Sequence, residues 1–139
     1  MMSKRRSTQA GFSLIEALVA IVIFSIGVLA LIALQVTSVR QASNAKYRSD
    51  ASLLANQLIG QMWVSDRTTT TLQTNFNTGG TLYTQWATTV QAQLPGAAAS
   101  APTVVVGADG QVTVNLFWKA PNEQSTDPEH RYTAVARIQ

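Results

Sequence analysis

The chain is predicted to be an α+β protein: one long N-terminal helix packed on a small antiparallel sheet. Three observations predict this. Residues 17–39 carry no charge and are almost wholly apolar. Proline is absent until Pro95, so nothing forces the helix to stop early. The last third of the chain has β-branched, partly alternating runs separated by turn residues.

The apolar stretch comes first. From Ala17 to Leu34 only Ser25 and Gly27 are not strongly apolar. Eighteen residues at the helical rise span about 27 Å, close to a bilayer's hydrocarbon core. Beyond it the helical rhythm continues. Tyr47, Ala51, Leu54, Leu58 and Met62 form a single stripe, with Arg40, Lys46, Arg48 and Asp50 largely off it. One helix is therefore expected from about Phe12 to about Ser65, on the order of 80 Å long. Residues 12–34 form its membrane part and residues 35–66 its amphipathic part.

Residues 67–139 form the head. Thr-rich residues 67–80 show no period and end in Gly79-Gly80, which predicts a loop. Leu82, Trp86, Val90 and Leu94 predict a short helix over 82–94, stopped by Pro95-Gly96. Strands are predicted at 103–106, 111–119 and 131–138, the first two joined by a hairpin at Asp109-Gly110. Residues 120–130 read as a polar loop. One face of such a sheet needs an apolar partner, and the stripe on residues 47–62 provides one.

Composition narrows the function. Charged residues are 12% of the chain, about half the usual ~25%. The net charge of +3 comes from Lys4, Arg5 and Arg6; without them seven basic side chains face seven acidic ones. No distributed basic surface remains, so no nucleic-acid partner is expected. With no cysteine there is no disulfide, thiolate metal site or cysteine nucleophile. His130 is the only histidine, lies in the polar loop and has no nucleophile partner, which argues against catalysis. Asp109, Asp127 and Glu129 lack calcium-loop spacing and read as turn residues. Trp63, Trp86 and Trp118 sit at helix and strand positions that favour core over a sugar platform. No phosphate-binding glycine motif is present. The expectation is a non-enzyme without cofactor or metal.

The order of features at the N-terminus is the most telling signal. Lys4-Arg5-Arg6 precede Gly11-Phe12-Ser13-Leu14-Ile15-Glu16, which run directly into the apolar segment. In a secretory signal the small-residue cleavage site follows the apolar region. Here the small residue precedes it. A cut after Gly11 removes residues 1–11 and leaves the hydrophobic helix at the new N-terminus. The basic cluster places residues 1–11 on the cytoplasmic side and the head across the membrane.

These residues resemble the leader of the type IV pilin superfamily. Within it, residues 16–29, Tyr47-Arg48-Ser49, Leu53-Leu54-Ala55, Trp86 and Leu94-Pro95-Gly96 are similar to the PilV branch of minor pilins. The resemblance implies cleavage between Gly11 and Phe12 by a prepilin peptidase and methylation of the Phe12 amine. It assigns Lys4, Arg5 and Arg6 to leader retention at the anionic cytoplasmic face. Glu16 would dock a neighbouring subunit by pairing with its N-terminal amine. The implied partners are the major pilin, other minor pilins and a large tip adhesin. The implied location is the inner membrane, then a pilus at the cell surface. Two departures from many major pilins, Ala33 in place of a helix proline and the missing cysteine pair, suit a minor pilin. A minor pseudopilin of a type II secretion system has the same layout. A DNA-uptake pseudopilin gains no support from the neutral charge, and a permanently anchored periplasmic binding module is the reading from another class.

Overall fold

A computed structural model describes residues 10–124 and 126–138, with side chains from Ser13 onward. Its elements, in order, are α1 (Ala10–Val64), α2 (Thr69–Phe76), α3 (Thr81–Gln93), β1 (Thr103–Val106), β2 (Gln111–Trp118) and β3 (His130–Arg137). The fold class is therefore α+β, with a long apolar N-terminal helix and a three-stranded antiparallel sheet. The chain divides into two units at Arg40/Gln41.

In the first unit the helix is unbroken through Gly27 and Ala33. Every large hydrophobic side chain from Leu14 to Val39 is exposed. An 18-residue window of this helix reaches a mean hydropathy of 3.0 with none of it buried. Two hydroxyls in the segment are satisfied within it. Ser25 donates to the Ile21 carbonyl at 2.7 Å and Thr37 to the Ala33 carbonyl at 3.1 Å. In hydrocarbon such internal bonds are the ones available to a helix hydroxyl.

The second unit has one continuous core. Ala51, Leu54, Leu58 and Met62 are at most 1% exposed, and Tyr47 packs against them partly buried. The spacing that makes a stripe on a helix thus makes one wall of the core. The opposite wall is the inner sheet face: Val104, Val106, Val112, Val114, Leu116 and Trp118. Strand order is β1-β2-β3, with Val106 opposite Val112 and Trp118 opposite His130. Between β1 and β2 the Gly107 N–H donates to the Gln111 carbonyl at 2.7 Å, and the Gly110 N–H to Gly107 at 3.1 Å. Gly110 has φ 76°, so the turn ends in the left-handed glycine that a bulged hairpin requires.

The segment 67–80, expected as a loop, contains α2. Leu72 and Phe76, one turn apart, are both fully buried and fix this Thr-rich helix to the core. Its C-terminal end then closes the outer edge of β1. Asn77 Oδ1 accepts from the Val106 N–H at 2.7 Å, and the Thr78 N–H donates to the Val104 carbonyl at 3.1 Å. Thr78 Oγ1 accepts from the Val104 N–H at 2.9 Å, and Gln73 Nε2 donates to the Val106 carbonyl at 3.0 Å. Covering an edge strand in this way removes a template for unwanted pairing. Among the described residues β3 has β2 as its one strand partner.

Two smaller expectations are also corrected. His130 opens β3 instead of ending the preceding loop. Trp63 is 46% exposed, while Trp86 and Trp118 are core residues at 4% and 3%. The buried face of α1 carries Leu58 and Met62, and Trp63 falls just past it.

Candidate functional site

The candidate site is the start of α1. Gly11 and Phe12 fall in its first turn; Lys4, Arg5 and Arg6 lie outside the described residues. A protease that needs extended backbone must first unwind this turn. Glycine lowers that cost, since it is about 1 kcal/mol worse than alanine in a helix.

Glu16 is the only ionisable side chain between Arg6 and Arg40. It is exposed on α1, nearly two turns beyond the helix start at Ala10. Its neighbours on the helix surface are Ile15, Val19, Ala20 and Ile23, so the carboxylate stands alone in an apolar field. The helix macrodipole acts mainly within the first turn and is worth roughly 0.3–1 kcal/mol there. Placing a carboxylate in hydrocarbon costs about 2.5–3.5 kcal/mol. The dipole alone is too small to offset deep burial of Glu16 in hydrocarbon.

The other sequence candidates take structural places. Asp109 accepts from the Gln111 N–H at 3.2 Å and from Arg137 Nη2 at 2.9 Å, and these bonds hold its carboxyl below the usual range. Asp127 Oδ2 accepts from the Gln124 N–H at 2.9 Å, and Glu129 accepts from the Ser100 hydroxyl. Among the described residues no three His, Asp or Glu side chains cluster as metal ligands would.

One pairing in the head had no sequence signal. His130 Nε2 lies 2.7 Å from Glu123 Oε1, and the imidazole stacks on Trp118 with centroids 5.5 Å apart. Burial pushes the Glu123 carboxyl up. Hydrogen bonds from His130, the Ala120 N–H and Asn44, with the His130 charge, outweigh it and leave the group lowered. The pair is seven positions apart with a loop between, where no periodicity operates.

Comparison with known proteins bears on the N-terminus alone. Residues 6–32 match the family described as a prokaryotic N-terminal methylation motif. No curated protein and no solved structure matches the chain. The matched span holds Gly11, Phe12, Glu16 and most of the exposed apolar segment, and it supports the type IV pilin superfamily.

Proposed function

We propose that this chain is a structural minor pilin of the PilV kind. A prepilin peptidase cuts between Gly11 and Phe12, and the Phe12 amine is methylated. The processed subunit waits in the inner membrane with its head in the periplasm. It then joins other minor pilins to prime a type IV pilus and ends near the tip, in contact with the major pilin and an adhesin. The observation that carries this reading is the methylation-motif match over residues 6–32, followed through Val39 by exposed large apolar side chains with Glu16 as the one carboxylate before Arg40.

The mechanism is physical. The large apolar side chains from Leu14 to Val39 are exposed in the described protein, so they need lipid or other helices. Moving from bilayer to a bundle of like helices exchanges one apolar surrounding for another. Cleavage creates a cationic amine at Phe12, and Glu16 on a neighbouring copy is its complement. Pairing offsets the desolvation of both ions, and it favours one stagger between subunits. Work for extraction comes from another protein, since the sequence has no nucleotide-binding motif.

The test is intact-mass analysis of the chain in sheared surface filaments. The expected species starts at methylated Phe12. An intact Met1 start confined to the membrane fraction overturns the proposal in favour of a permanent anchor. Independently, Glu16→Ala is expected to be processed normally yet be depleted from filaments. Undiminished incorporation removes the docking role.

A further inference from the structure

We propose that the open edge of β3 takes up an extended segment of another protein as an added antiparallel strand. That segment carries an apolar side chain opposite Val135, a hydroxyl opposite Thr133 and a carboxylate opposite Arg131. The two edges of the sheet differ. β1 has four residues, and Asn77, Thr78 and Gln73 occupy its outer main-chain groups. β3 has eight residues, no proline and a register with β2 that runs unbroken from Gln111–Arg137 to Trp118–His130. Shortness, proline and bulges protect an edge from pairing, and β3 has none of them.

The Ile138 N–H donates to the Gly110 carbonyl at 2.9 Å, so the main chain of Ile138 faces β2. Main-chain groups alternate in direction along a strand. Ala136, Ala134 and Tyr132 therefore face β2 as well, and Arg137, Val135, Thr133 and Arg131 present N–H and C=O outward. Among the described residues these outward groups have no hydrogen-bond partner. The side chains of the same residues are exposed, on the sheet face away from the core. A row of free donors and acceptors at strand spacing is the complement of another strand.

Rows of side chains cross the outer face, stop at β3 and define what the added strand carries. Thr133 Oγ1 donates to Asn115 Oδ1 at 2.8 Å, and Asn115 Nδ2 donates to Thr103 Oγ1 at 3.1 Å. The Thr133 oxygen can still accept, so a hydroxyl on the next strand extends this polar row. Val135 lies opposite Thr113 and is 57% exposed, which suits an apolar neighbour. Arg137 is held by Asp109 at 2.9 Å, whereas Arg131 has no ion pair among the described residues. A carboxylate opposite Arg131 supplies the missing charge. The arginines also disfavour a second copy of this chain. Full antiparallel pairing of two β3 edges sets Arg131 opposite Arg137 at both ends, and like charges directly opposite are destabilising.

The probe is the peptide acetyl-Gln-Thr-Val-Thr-Thr-Thr-Glu-amide, added to the full chain in detergent micelles, labelled with ¹⁵N. Neither leader removal nor a filament is needed, so the outcome is separable from that of the proposed function. In the free chain the amides of Arg131, Thr133, Val135 and Arg137 should exchange with solvent fast, and those of Tyr132, Ala134 and Ala136 slowly. At about ten times its Kd the peptide should slow the fast set about tenfold. The same peptide N-methylated at its valine and at the threonine meant for Thr133 should not. Arg131→Glu should weaken binding about tenfold, and a peptide with lysine in place of its glutamate should recover it. Slow exchange at Ala134 in that variant reports an intact sheet. The proposal is overturned if the peptide leaves the fast set unchanged, if the methylated peptide works equally well, or if the lysine peptide recovers nothing. Slowing of the fast set on concentrating the chain alone assigns the edge to a second copy and overturns it too.

Discussion

Trp86 Nε1 donates to the main-chain carbonyl of Leu54 at 2.9 Å, a buried bond across 32 residues of sequence. It joins α3 to the apolar stripe of α1 at the centre of the core. Tyr83, one turn earlier on α3, donates its hydroxyl to the Pro102 carbonyl at 2.6 Å, just before β1. Two aromatic residues on one short helix thus clasp both of its neighbours. In a head without disulfides, the aromatic bodies supply buried area and their polar tips fix register.

Trp86→Phe keeps most of the apolar area and removes the bond. We expect a loss of about 1–2 kcal/mol, the range for one buried hydrogen bond. Chemical denaturation of the full chain followed by circular dichroism measures it. A loss within the error of the wild-type midpoint would show that the bond contributes nothing.

Leu58→Ala and Leu53→Ala make a matched pair on the same helix. Leu58 is fully buried and Leu53 is 67% exposed. The first should cost about 2–5 kcal/mol and the second within about 0.5 kcal/mol. Comparable losses at the two positions would contradict the placement of the core face.

Gly80 is fixed by space. A Cβ there would stand 2.4 Å from the Asn75 carbonyl oxygen, at the end of α2. Gly80→Ala must push α2 and α3 apart, at an expected cost of about 1–3 kcal/mol. Gly60 has no atom within 4 Å of the same position, so Gly60→Ala should not destabilise the head. Thermal melts of the two variants separate the effects.

Acid should weaken the head through Glu123. Its pKa is lowered in the folded state, so the unfolded chain binds the proton more readily. The stabilisation is complete above the ordinary glutamate value near ~4.3 and fades as pH falls through the folded value. Wild-type denaturation midpoints should drop as pH falls below about 4.3. Glu123→Gln should start lower at neutral pH and show a shallower drop. An identical pH slope in the variant would assign the effect elsewhere.

The proposed processing gives a third test at the N-terminus. Gly11→Val adds a branched side chain beside the proposed cleavage position. It should block leader removal, so the chain keeps the mass of its first eleven residues. Removal at the normal rate would mean that Gly11 is not the residue before the cut.

Linear signals were the legible part of this protein. Leader, glycine, Glu16 and apolar segment follow one another in the chain, so their order could be read directly. The stripe from Tyr47 to Met62 was readable because helix period and core face coincide there. α2 escaped because threonine is a weak helix former and only Leu72 and Phe76 mark its buried side. The contact of Glu123 with His130, and a cavity beside it, join residues from α1, β2 and β3. No local pattern encodes such a meeting. Trp63 shows the opposite failure: its residue type favoured the core, but its position on the helix turn decided otherwise.

The hydrogen bonds that Asn77, Thr78 and Gln73 make along β1 give the sheet a handed economy. A visiting strand would have to evict these three residues to lie beside β1. The sheet is consequently sealed along β1 by the chain's own side chains, with no second strand needed there.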